Sequence, residues 1–163
     1  MAKTSIGGSL RVPATVEEET VNVVQPPPEW EAIDFAVDSG ASETVMGEGL
    51  IRSVEMTPSA ASLRGVKYEV ANGERIPNLG EKHLRGLTDR EGYQRQVTAQ
   101  VCDVSKPLMS VAKLVATGNT VVFTKSGSYI ENDITAERTW LREEGGMYMA
   151  RLWIPANPAA AGF

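Results

Sequence analysis

Short runs in which apolar and polar residues alternate, cut by glycine and asparagine, dominate this chain from Trp30 onward. Trp30 to Val37 places Ile33, Phe35 and Val37 on one face of an extended strand, with Asp38 following on the other. Val66 to Val70 and Glu74 to Gly80 read as extended segments joined through Asn72-Gly73, a strong short-range hairpin signal. Lys82 to Leu87 continues outward, Thr88 to Gly92 turns, and Tyr93 to Asp103 alternates Val97, Ala99 and Val101 with Thr98 and Gln100. A further hairpin joins Thr120 to Phe123 with Ser128 to Glu131 around Lys125-Ser126-Gly127, and Gly145-Gly146 precedes a last run, Met147 to Ile154. Two places read as helical. Met46 to Val54 is expected to hold one turn ahead of the polar stretch Thr57-Pro58-Ser59. After Pro107-Leu108-Met109-Ser110, the residues Val111, Leu114 and Val115 fall on one face, and Thr117-Gly118-Asn119 supplies the stop. The pattern predicts an all-β fold, mainly β with one or two short helices, as a small closed barrel or sandwich.

The length of 163 residues suits one domain with tails. Residues 1–29 read as an N-terminal tail, with Glu17-Glu18-Glu19, the stiff Pro26-Pro27-Pro28 and a candidate edge strand at Thr20 to Val24. The domain is expected over 30–155, with 156–163 as a C-terminal tail. A net charge of -5 argues against a nucleic-acid surface, which needs clustered Lys and Arg. No apolar run approaches a membrane span and no apolar leader follows Met1, so neither a membrane partner nor a secretory signal is expected. Cys102 is the single cysteine, which fits a reducing, cytoplasmic setting. With His83 as the single histidine, a zinc site of the usual kind is not expected either. No cofactor or metal is called for.

The candidate chemistry lies at Asp38-Ser39-Gly40, directly after the apolar run ending at Val37. The tripeptide alone says little, because all three are common turn residues. Its setting says more: an apolar strand before it, Ala41 directly after, and Val45-Met46 beyond. The run from Ala36 to Met46 resembles the active-site segment of retropepsins, the aspartic proteases of retroviruses and retrotransposons. Two further segments follow in that family's order. Tyr68 to Pro77 falls where retropepsins have a flap hairpin, and Lys106 to Leu114 where they have an apolar strand, a small residue and a short helix. Ser110 stands where many of them carry glycine. Pro107 to Leu114, then Gly118, Val121-Val122-Phe123, Gly127, Tyr129-Ile130 and Gly145-Gly146-Met147-Tyr148, is similar to the region after the Asp-Ser-Gly-Ala-Ser box in copia-type retrotransposon polyproteins.

The resemblance implies a retropepsin-like closed β fold, one lobe per chain. It implies an endopeptidase of extended peptide or polyprotein substrates in which Asp38 is catalytic. Ser39 would hold the turn, and Gly40 would let backbone approach the carboxylate. Ala41, with Ala71, Asn72 and Gly73 at the flap tip, would bind substrate. Aspartic proteolysis needs two carboxylates sharing a proton. The chain carries one Asp-(Ser/Thr)-Gly, so the second Asp38 is expected from a second copy in a homodimer. Met147 to Ile154 is the candidate dimer strand.

Blander readings stand beside these. Asp34 and Asp103, as other carboxylates, fit a solvated strand face; His83 has no Gly-x-Ser-x-Gly partner and fits a surface or packing role. Cys102 reads as a small buried hydrophobe. Two other function classes remain open: a catalytically inactive dimerisation or peptide-binding module, and an inert polyprotein remnant whose residues after 131 form a linker.

Overall fold

The computed structural model describes residues 29–163; the N-terminal tail before them, with its candidate edge strand at Thr20 to Val24, lies outside the described residues. The described chain is mainly β. Strand β1 (Trp30–Asp38) is followed by the short β2 (Val45–Met46), helix α1 (Ala60–Leu63) and the hairpin β3 (Lys67–Glu69) and β4 (Arg75–Pro77). The long hairpin β5 (Gly80–Thr88) and β6 (Gln94–Val101) leads to β7 (Leu108–Ser110) and helix α2 (Val111–Ala116). The chain ends in β8 (Asn119–Val122), β9 (Tyr129–Asn132), β10 (Arg138–Trp140), β11 (Arg142–Glu144) and β12 (Met147–Pro155).

Seven strands form the main sheet in the order β11-β12-β1-β7-β2-β6-β5, and a further pairing of β12 with β5 closes it into a ring, leaving β11 outside. β1 pairs antiparallel with β12 from Ala36↔Met149 to Trp30↔Pro155, and parallel with β7 from Ala36↔Leu108 to Asp38↔Ser110. Strands bonded on both sides bury long apolar runs, and here Phe35, Met46, Leu84, Val101, Leu152 and Ile154 fill the interior. The ring is tight where β5 crosses β12. A Cβ on Gly86 would run into the Trp153 carbonyl oxygen, so only glycine fits there. A second antiparallel sheet, β10-β9-β8, packs beside the ring and contributes Ile130 to the same core, joined by Leu141 just beyond β10.

Several expectations need correction. Met46 to Val54 forms turns rather than helix, with Val54 N–H donating to the Ile51 carbonyl at 3.1 Å. Gly47 and Gly49 disfavour helix, and Ile51 is buried at φ +50. That backbone costs a β-branched residue about 1–3 kcal/mol. It is offset by burial of the Ile51 side chain, and by the Lys82 ammonium, which donates to the Leu50 and Ile51 carbonyls at 2.9 and 3.1 Å. Burial pushes the Lys82 pKa down, against the pull of Glu31 and Glu48. The helical turn forms later, at Ala60–Leu63, where Ser59 and Ser62 make a reciprocal capping box.

In α2, Val111 and Leu114 pack on the core but Val115 points outward, 55% exposed. A six-residue helix meets the sheet along a single i, i+3 pair. The Asn72-Gly73 hairpin has a three-residue loop, Ala71-Asn72-Gly73. Gly73 N–H donates to the Val70 carbonyl at 2.8 Å, and of these loop residues Gly73 alone takes a positive φ.

Met147 to Ile154 is not free to serve as a dimer strand. Its backbone is used within the chain by β1, β5 and β11. Residues after 131 are not a linker either, because β12 sits in the middle of the main sheet. Residues 156–163 turn back onto the domain: Ala156 N–H donates to the Glu29 carbonyl at 2.8 Å, and the Phe163 ring meets Trp30 edge-on at 6.2 Å between centroids.

Replacing Gly86 by Ala is expected to lower unfolding free energy by about 1–3 kcal/mol, because backbone and packed side chains must move to admit one methyl. Gly49→Ala meets nothing within 4 Å and serves as the control; its cost should stay within about 0.5 kcal/mol. Urea titration of the two variants beside the parent protein measures both.

Candidate functional site at the end of strand β1

Asp38 is the last residue of β1, and Ser39-Gly40 turn the chain away from the sheet. Gly40 N–H donates to Asp38 Oδ1 at 2.8 Å, and Ala41 N–H approaches the Asp38 carbonyl at 3.4 Å. The carboxylate is thus held by its own turn, an arrangement suited to Asp at a strand end. A Cβ on Gly40 would stand 3.3 Å from Oδ1, a tight contact that the carboxylate would have to relieve by shifting a few tenths of an ångström.

The parallel neighbour of Asp38 is Ser110, fully buried. Its hydroxyl donates to the Ala41 carbonyl at 2.7 Å and accepts from Lys113 N–H at 3.1 Å, capping α2. Its own N–H donates to Thr44 Oγ1 at 3.1 Å. One small hydroxyl residue therefore ties the turn after Asp38, the segment before β2 and the start of α2 together. Glycine there would leave the Ala41 carbonyl and the Lys113 N–H without these partners.

A cleft of about 610 Å³ opens beside Asp38 and Ser39. Ala36, Val37 and Leu108 line it, together with Lys106, Phe123, Gly146, Met147 and Tyr148. The Phe123 and Tyr148 rings lie 4.8 Å apart and tilted. Ala41, Ala71, Asn72 and Gly73 are not among the residues lining this cleft. The β3–β4 hairpin instead packs Tyr68, Val70 and Ile76 against Val45, Cys102 and Leu108, and Leu108 is the residue it shares with the cleft.

Asn78 anchors the base of that hairpin. Its Oδ1 accepts from Ser59 Oγ and Gly80 N–H, each at 2.9 Å. Its amide donates to Tyr68 Oη and Gln100 Oε1, each at 2.8 Å. A buried amide with all these partners fixes the hairpin in one position. Burial pushes the Tyr68 phenol up.

The other residues weighed from sequence are occupied elsewhere. Asp34 takes a two-pronged bond from Arg151, with Nε and Nη2 at 2.7 and 2.9 Å from its oxygens, and Arg142 lies 3.7 Å away. The Arg151 hydrogen bonds hold its carboxyl below the usual range. His83 is exposed on β5, its ring nitrogens near Glu81 at 2.8 Å and Thr98 at 3.1 Å. Cys102 is buried, and burial together with Asp103 pushes its thiol up, away from a nucleophile's range. Asp103 itself is exposed. Among the described residues, no helix is long and apolar enough to cross a membrane.

The aromatic wall was missed as a site from sequence, although Phe123 and Tyr148 both fall in segments that carry the copia-type resemblance. Comparison with protein-family models, with curated proteins and with solved structures finds no match to this chain.

Two measurements check this geometry. Ser110→Ala is expected to lower stability by about 1–3 kcal/mol, through the lost cap and an unpaired buried carbonyl. Thermal unfolding followed by circular dichroism reads it. For Asp34, a lowered folded-state pKa means its contribution is present above the ordinary carboxylate range and fades as pH falls through the folded value. Asp34→Asn should therefore cost about 1 kcal/mol near neutrality, a figure limited by partial exposure, and flatten the acid limb of the stability curve. Denaturant midpoints from pH 2 to 7 decide it.

Proposed function

We propose that the chain is an aspartic-type endopeptidase acting as a homodimer, in which one Asp38 from each copy activates water against a bound peptide. The observation that carries this reading is Asp38 itself: a carboxylate at the end of a strand bonded on both sides, held by Gly40 N–H at 2.8 Å and opening onto a 610 Å³ cleft. The retropepsin resemblance of Asp38-Ser39-Gly40-Ala41 points the same way, and its copia-type extension favours retrotransposon polyprotein processing.

In such a dimer two carboxylates stand about 3 Å apart and cannot both ionise easily, so they share one proton. The ionised member takes a proton from water, and the protonated member polarises the scissile carbonyl and later helps protonate the leaving nitrogen. The pair titrates as a unit. Water, peptide and two carboxylates suffice, and no cofactor enters.

A second reading, a peptide-binding module without turnover, draws support from a different observation. Phe123, Gly146, Met147 and Tyr148 of the same chain already wall the cleft, so one copy offers a surface for an extended peptide.

Cleavage of a mixed peptide library between pH 4 and 7 tests the two. Activity with two apparent pKa values, reduced about 10³-fold or more in Asp38→Asn, is the expected result. Equal activity in that variant would remove Asp38 from the chemistry. A folded, dimeric protein that binds peptides and cuts none would leave the binding module standing.

A further inference from the structure

We propose that Lys106, together with the Phe123–Tyr148 wall, selects peptides in which an Asp or Glu lies within two positions of a large apolar residue. The inference rests on the reading of the Asp38 cleft as a peptide site and names the sequence class it takes.

The cleft is bordered by two charged side chains, Asp38 and Lys106. The basic side chains of α2, β11 and β12 are engaged: Lys113 with Glu43, Arg142 with Glu144, Arg151 with Asp34. Lys106 is different. Among the described residues its ammonium has one hydrogen-bond partner, the Met147 thioether at 3.5 Å, and it makes no salt bridge. Sulfur is a weak acceptor, so an ammonium with three donors is left close to fully available. Its base is fixed, because the next carbonyl, that of Pro107, accepts from Ala36 N–H at 3.0 Å on the strand that carries Asp38.

The apolar half of the site is built from the other end of the chain. Phe123 is 40% exposed although it faces its neighbour Tyr148, and Met147 and Leu108 complete the apolar surface around it. A large apolar side chain laid there removes both surfaces from water. Asp38 repels an acidic residue of the same peptide, and Lys106 is the group in the lining that reverses this. Charge complementarity in a part-enclosed cleft acts mainly on selectivity.

The test measures binding of three fluorescent peptides, alike except for Glu, Gln or Lys two positions from a Phe, to full-length Asp38→Asn protein at low salt. Binding is compared with and without Lys106→Glu in that same background. The Glu peptide should bind best to the parent, weaken about 10-fold in Lys106→Glu, and exchange rank with the Lys peptide. Phe123→Ala should weaken all three about equally. An unchanged Glu-to-Lys ratio in Lys106→Glu, or no binding of any peptide, overturns the inference. Lys106→Met, which removes the charge and keeps the stem, should place the three peptides level. Wild-type cleavage assays separate this from the proposed activity. Exchanged binding ranks without cleavage would sink the protease reading and keep the subsite, whereas cleavage with unaltered charge preference would do the reverse.

Discussion

Strand β1 has partners on both sides, and most of the structure follows from that constraint. Its antiparallel neighbour β12 and its parallel neighbour β7 use its backbone donors and acceptors, so its position has little freedom. Asp38 leaves the sheet from a fixed point as a result. The parallel pairing sets Ser110 beside Asp38, which is why one buried hydroxyl can brace the turn after Asp38 and cap α2 together. The antiparallel pairing sets Arg151 opposite Asp34 and brings β12 within reach of β5, which closes the ring.

Three distant parts of the chain meet at the cleft. β1 supplies the carboxylate, the segment leading into β7 supplies Lys106 and Leu108, and the C-terminal third supplies Phe123 and Met147-Tyr148. The β3–β4 hairpin touches this arrangement through Leu108 from the other side, locked at its base by Asn78. A peptide in the cleft would meet the C-terminal wall in each single copy.

Local pattern carried most of the element list. The alternation of Val97, Ala99 and Val101, the turn at Asn72-Gly73, the glycines before Met147 and the stop at Gly118 all correspond to observed boundaries. Partner choice was not legible, because pairing between Asp34 and Arg151 spans 117 positions and no local signal encodes it. The same blindness put Met147 to Ile154 at an interface rather than beside β1. Met46 to Val54 misled because its apolar residues serve the core through a left-handed Ile51 and the buried Lys82, neither of which leaves a periodic trace. At the site, Asp38-Ser39-Gly40 was readable as a contiguous motif. Lys106 and the aromatic wall were not, since they become neighbours only once the ring has formed.

The closure of that ring by β12 has a consequence for synthesis. Among the described strands β1 is made first, yet its antiparallel partner β12 is made last. At ordinary elongation speed the delay is on the order of ten seconds. During that interval Ile33 and Phe35 lack the β12 residues they pair with in the folded domain, an unpaired edge of the kind that invites association with other nascent chains. A chain released before residue 147 would carry the Asp38 motif without the strand that pairs along the length of β1.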